Sequence, residues 1–156
     1  PGACEVHELF SADDVTQLRE AHPGVVILAH PECPPDVLEA ADFAGSTSAL
    51  ASYVKDESPN KVVLLTECSM SDNVAAENPG VNFIRPCNLC PHMKRITLEN
   101  ILDCLTEMKH EVEIEEEVRV KAKAAIDAML ALPKTEKPLA FETGRKPMEI
   151  EVIAAN

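Results

Sequence analysis

Two short, unbroken apolar runs limit the folds open to this chain: Val25-Val26-Ile27-Leu28-Ala29 and Val62-Val63-Leu64-Leu65. A strand with one face in water alternates apolar and polar residues, whereas a run without alternation is covered on both faces. Helical phrases stand between and around the runs. Ser11 reads as an N-cap with Asp13 and Asp14 in the first turn, where carboxylates favour the helix dipole, and Pro23-Gly24 ends that helix. Pro34 and Pro35 start a short helix through Ala41, 42–45 reads as a weak second strand, and Ser46-Thr47-Ser48 opens a helix with Leu50 and Val54 facing inward. A short helix over 71–77 follows the second strong run, and Pro79-Gly80 turns into a strand over 81–84. Helix–strand alternation with short loops predicts an α/β fold. The expected form is a three-layer αβα sandwich with a short parallel sheet and right-handed crossovers.

After Lys94 the pattern changes. Thr97 caps a helix with Leu98, Ile101, Leu102, Leu105 and Met108 on one face, and a second helix over 114–132 turns Val118, Ala122, Ala125, Ile126 and Met129 inward until Pro133 stops it. The expected organisation is an α/β domain over 1–94, C-terminal helices over 95–133, and a Pro- and charge-rich tail over 134–156. The tail reads as flexible, with 150–153 its one candidate strand.

Charge excludes some partners. With 27 acidic and 14 basic residues the net charge is −13, which argues against nucleic acid and against an anionic membrane, since both need a basic patch. Much of the excess, over 111–117, reads as a solvated helix face. One Tyr and no Trp leave no stacking platform for single strands. No run approaches the length of a membrane span. The chain begins at Pro1 with no signal-peptide pattern, and it reads as a cut piece of something longer. Six cysteines permit a disulfide framework, but the aliphatic core and lack of secretory signals favour reduced thiols and a cytoplasmic location.

In open parallel sheets ligands bind beyond the carboxyl ends of the strands. The residues that follow the strands are His30-Pro31-Glu32-Cys33, Gly45-Ser46-Thr47-Ser48, Thr66-Glu67-Cys68 and Arg85-Pro86-Cys87, so most of the chemically able side chains fall on one rim. His30 and Glu32 suit a general acid/base pair or a plain surface loop. Ser46 and Thr47 suit an anion seat or ordinary helix capping. His7, three residues after Cys4, suits a proton carrier, a ligand or a connector histidine. Cys104, beside Ile101 and Leu105, suits packing. In Cys87-Asn-Leu-Cys90-Pro-His-Met-Lys94 the thiols suit a soft metal or an iron–sulfur cluster, a redox disulfide, or packing in a connector.

Taken together, Gly2-Ala3-Cys4-Glu5-Val6-His7, His30-Pro31-Glu32-Cys33, Gly45-Ser46-Thr47-Ser48 and Cys90-Pro91-His92-Met93-Lys94 with Thr97-Leu98-Glu99, in this order and spacing, resemble quinolinate synthase from Pro1 to about Leu132. The resemblance implies one of three α/β sandwich domains about a pseudo-threefold axis, with a [4Fe–4S] cluster at the centre whose fourth iron is open to substrate. It implies condensation of iminoaspartate with dihydroxyacetone phosphate to quinolinate, a step towards NAD, with L-aspartate oxidase as a source of iminoaspartate. Carried over, Cys4 and Cys90 match two cluster ligands. The third ligand falls in the missing N-terminal domains of the same enzyme. His30 and Glu32 match the acid/base pair, Ser46 and Thr47 the hydroxyls that hold a substrate carboxylate or phosphate, and His7 and Met93 positions lining the site. Cys87 is an extra cysteine and a possible redox partner of Cys90. The chain alone is then expected to bind no intact cluster and to be inactive. Two readings of other classes compete: a small thiol metal-binding or redox module on Cys87 and Cys90 without substrate chemistry, and a non-catalytic interaction domain.

Overall fold

A computed structural model describes residues 4–86 and 88–132. Cys87 and 133–156, with the candidate strand over 150–153, lie outside the described residues. The described residues form two compact units that divide between Cys90 and Pro91.

The first unit alternates α1 (Ala12–Ala21), β1 (Val26–Ala29), α2 (Pro35–Ala40), β2 (Phe43–Ala44), α3 (Thr47–Glu57), β3 (Lys61–Leu65), α4 (Cys68–Glu77) and β4 (Asn82–Ile84). All four strands are parallel, in the order β2-β1-β3-β4. The two apolar runs are the central strands, in register from Val26 opposite Val62 to Ala29 opposite Leu65. Their side chains divide between two apolar clusters. Ile27, Ala29, Val63 and Leu65 pack with Val15 of α1 and Val37 of α2; Leu28, Val62 and Leu64 pack with Leu50 and Val54 of α3 and Val74 of α4. Ile27, Leu28 and Leu65 are wholly buried. At ~1.5–3 kcal/mol for each such aliphatic side chain, these strands carry much of the unit's stability. The layers are those of an αβα sandwich.

Local chemistry sets the element ends. Ser11 and Asp14 form a reciprocal capping box at α1. Asp42 accepts from Arg19 Nη2 (2.9 Å) and from the Ile27 amide (2.8 Å), tying α1 and β1 to the start of β2. The helix expected over 71–77 starts earlier, at Cys68, because the Glu67 carboxylate caps it by accepting from the Ser69 amide at 2.7 Å. Ser71, the first residue of the expected helix, is buried inside it.

The chain leaves β1 for one face of the sheet and enters β3 from the other, so the order reverses between these two strands. The crevice outside their carboxyl ends is the topological switch point where ligands bind in such sheets.

In the second unit Thr97 and Asn100 box the start of α5 (Leu98–Glu107), and α6 (Glu116–Leu130) carries Glu116–Arg119, Glu117–Lys121 and Lys123–Asp127 ion pairs along its surface. Residues 111–115 are not helical, so the acidic run enters the helix only at its end. The apolar residues expected to face inward on both helices are exposed, Leu98, Met108 and Leu105 at 82 %, 83 % and 70 %. Amphipathic spacing marks a face that requires cover, and nothing in the described residues supplies it. No helix among the described residues is long and apolar enough to cross a membrane.

Candidate active site at the carboxyl edge of the sheet

Buried Val6 and Phe10 pin a 3-10 turn over His7–Leu9 to the first unit, and His7 points inward with only 6 % of its surface exposed. Its Nε2 lies 3.0 Å from the hydroxyl of Thr66, the residue that follows β3. His30 follows β1, and its amide extends the ladder by donating to the Leu65 carbonyl. The two imidazoles stack, with centroids 4.4 Å apart and planes within 9°. Glu32, exposed at the rim, places one carboxylate oxygen 3.0 Å from His7 Nδ1 and 3.6 Å from His30 Nδ1. The shorter contact pairs the buried His7 Nδ1 with the carboxylate and favours the protonated imidazole.

The network fixes the tautomers. His30 Nδ1 accepts from the Glu32 amide at 3.3 Å, so its ring proton sits on Nε2 when neutral. His7 Nδ1 faces a carboxylate oxygen, so its proton sits there and Nε2 accepts from Thr66. Burial pushes His7 below the ordinary imidazole value of 6.5; His30 pushes the same way and Glu32 opposes. Two positive rings 4.4 Å apart repel by about 4 kcal/mol at an effective dielectric of 20, so the stack disfavours charging both rings.

Cys4 joins this group: its Sγ, a His7 ring nitrogen and a Glu32 oxygen all lie within 4.8 Å of one another. Cys90 reaches the same edge by backbone contacts. Asn88 bridges Glu67 in parallel, Asn88 O accepts from the Cys68 amide at 3.3 Å, and the Cys90 amide donates to Glu67 Oε1 at 3.4 Å. Glu67 adjoins Thr66 in sequence, so the Cys90 amide is held by the residue next to the His7 anchor. Cys4 and Cys90 are each half-buried. Cys33 is a buried thiol, donates to the Leu65 carbonyl at 3.5 Å, and is pushed up to about 11 chiefly by burial. Against the expectation of reduced thiols throughout, Cys68 is disulfide-bonded.

Ser46 and Thr47 are exposed at the start of α3. Ser46 Oγ accepts from the Ala49 amide and bonds Ser48 Oγ at 3.0 Å, so it caps the helix. Gly45 is needed here, because a Cβ would fall 2.7 Å from Phe43 Cε1. Met93 is exposed in the second unit. A groove of about 370 Å³ lined by Leu9, Phe10, Asp14, Leu18, Pro86 and Asn88 contains none of the candidate site residues.

Residues 1–131 match the family model described as Quinolinate synthetase A protein. The chain belongs to the quinolinate synthase family. It is 62 % identical over 131 residues to the quinolinate synthase of Agrobacterium fabrum (strain C58), covering 84 % of this chain and 38 % of that protein. Against the quinolinate synthase of Xylella fastidiosa (strain 9a5c) the figures are 63 %, 84 % and 39 %. Against that of Caulobacter vibrioides (strain NA1000) they are 50 % over 154 residues, 97 % and 42 %. The chain thus spans about two-fifths of the length of these relatives. Of the residues singled out from the sequence, His7, His30, Glu32 and Cys4 gather in one group, Cys90 joins their edge, and Cys87 is outside the described residues. Thr66 and Glu67 were on the predicted rim without roles. Their signal was position alone, directly after β3.

Proposed function

We propose that this chain supplies one of three pseudo-threefold domains of a quinolinate synthase, and that its carboxyl edge forms part of the site where iminoaspartate and dihydroxyacetone phosphate condense to quinolinate in NAD biosynthesis. The observation that carries the reading is the convergence of Cys4, His7, Glu32 and His30 at the switch point of a parallel sheet in a member of this family.

The donor set suits a [4Fe–4S] cluster. Cys4 and Cys90 are half-buried cysteines brought to one edge from opposite ends of the unit, and such clusters are held by cysteine thiolates. A third ligand comes from the rest of the enzyme. When bound, the cluster supplies a Lewis acid beside the substrate. The chain's own residues handle protons. Glu32, open to solvent, is the group able to reach a substrate, and His30 presents an Nε2 proton as donor. His7 backs Glu32 from the buried side and is itself held by Thr66. A dehydration needs one group to protonate a departing hydroxyl and another to take a proton from carbon, and Glu32 and His30 are the two groups placed to do this. The exposed Ser46 and Thr47 hydroxyls and the amides of α3 hold a substrate carboxylate or phosphate. By itself the chain lacks the third ligand and the remaining pocket, and it is inactive.

The test is a chimera in which this chain replaces the matching 131-residue stretch of the Agrobacterium fabrum quinolinate synthase. The chimera forms quinolinate, and Glu32→Gln lowers its kcat by about 10²–10⁴-fold. Full activity in Glu32→Gln would remove the acid/base assignment.

A further inference from the structure

We propose that Glu67 is a positioning residue for the synthase site: its one carboxylate caps α4 and at the same time holds the main chain of Cys90, which sets where the Cys90 sulfur stands. The inference rests on the synthase reading, which makes Cys90 a ligand.

The residue type is the first sign. Favoured helix N-caps are Ser, Thr, Asp and Asn, whose short side chains turn back onto the second or third amide of the helix. Glu67 does the same with a longer side chain, its Oε2 accepting from the Ser69 amide at 2.7 Å. The extra length leaves the other oxygen in reach of a second segment. Oε1 accepts from the Cys90 amide at 3.4 Å, 23 positions along the chain, and from Ser69 Oγ at 3.5 Å. Glu67 is only 8 % exposed, and a carboxylate taken out of water is costly unless donors match its oxygens. A serine would cap α4 at less cost. What a serine lacks is the reach to Cys90.

The main chain repeats the connection. Glu67 bridges Asn88 in parallel, and the Cys68 amide donates to the Asn88 carbonyl at 3.3 Å, so the segment is aligned two residues before Cys90. Cys90 is the last residue of the first unit, and Pro91 opens the second. The carboxylate therefore acts where that segment ends.

Thr66 has the matching task. It holds His7 at 3.0 Å, and His7 stands three residues after Cys4. Consecutive residues in extended backbone turn their side chains to opposite sides, and Glu67 is extended, with φ −65° and ψ 140°. The adjacent pair after β3 thus serves both cysteine segments, Thr66 the one that carries Cys4 and Glu67 the one that carries Cys90. Metal ligands need such partners to hold them close to the productive geometry.

The experiment separates reach from capping. Glu67→Ser and Glu67→Asp each keep a favoured N-cap, Asp also keeps the charge, and neither side chain spans to Cys90. Tyr53 fluorescence verifies that both fold. The first readout is amide exchange by NMR in the metal-free 156-residue chain. In the parent the Cys90 amide exchanges about tenfold more slowly than that of exposed Leu89. In both variants this protection is lost, while amides in the first turn of α4 stay protected. The second readout is iron and sulfide in the reconstituted chimera. The parent holds its cluster, and the chelator concentration that removes half the iron falls by about 10–100-fold in each variant. A Cys90 amide that exchanges as fast as Leu89 in the parent, protection that survives in both variants, or variants that hold iron as firmly as a cluster-bearing parent overturns the proposal. A parent chimera that takes up no cluster overturns the synthase reading itself, and this inference with it.

Discussion

Thr66→Val removes one hydroxyl from the interior of the α/β unit and leaves side-chain volume nearly unchanged. The hydroxyl is the partner of a histidine nitrogen 59 positions away, and both residues are buried, Thr66 at 3 % and His7 at 6 % exposure. Valine leaves Nε2 in a site closed to water with nothing to bond. The cost of such an orphaned group is ~1–3 kcal/mol. With a urea dependence of about 1–3 kcal/mol/M for a small domain, the unfolding midpoint falls by roughly 1 M. The assay is specific to this unit. The chain has one tyrosine and no tryptophan, and Tyr53 lies in α3 against Phe43, so tyrosine fluorescence reports the α/β unit and not the exposed C-terminal helices. A double-mutant cycle with His7→Phe isolates the pair, with an expected coupling of at least about 0.5 kcal/mol. A Thr66→Val midpoint equal to that of the parent, or independent costs in the cycle, refutes the claim that this bond fixes the histidine.

Two further outcomes follow from packing and burial. Gly45→Ala drives a methyl to 2.7 Å from the Phe43 ring and 2.9 Å from Ala49 Cβ, and costs ~1–3 kcal/mol in the same melt. Cys33 stays a thiol until about pH 11 in the fold but ionises near 9 when unfolded, so its contribution to stability is intact below pH 9 and is lost as pH rises towards 11. Cys33→Ala flattens that alkaline loss, and in the parent at pH 8 alkylation mapped by mass spectrometry modifies Cys4 before Cys33.

The strands and most helix starts were legible because their signals are local. Unbroken aliphatic runs, a Ser-x-x-Asp box at Ser11 and a Thr-x-x-Asn box at Thr97 each act within a few residues. The start of α4 was not, because it is capped by a glutamate, Glu67, two residues after the end of an unbroken apolar run, rather than by a serine or threonine. The rim was legible as a whole, since topology places every strand's carboxyl end together. Its internal pairing was not: no periodicity links His7 to Thr66, or Cys90 to Glu67, across the fold. Apolar spacing on α5 and α6 announced faces that need cover, but spacing carries no information on which part of a polypeptide provides it.

The account rests on Cys4 and Cys90 acting as ligands of one iron–sulfur cluster. The direct measurement is iron and sulfide content, with the visible absorption of the anaerobically reconstituted chimera, for the parent and for Cys4→Ser, Cys90→Ser and Cys104→Ser. The account predicts about four irons and four sulfides in the parent and in Cys104→Ser, with the cluster lost in the other two variants. A full cluster in Cys4→Ser or in Cys90→Ser contradicts it.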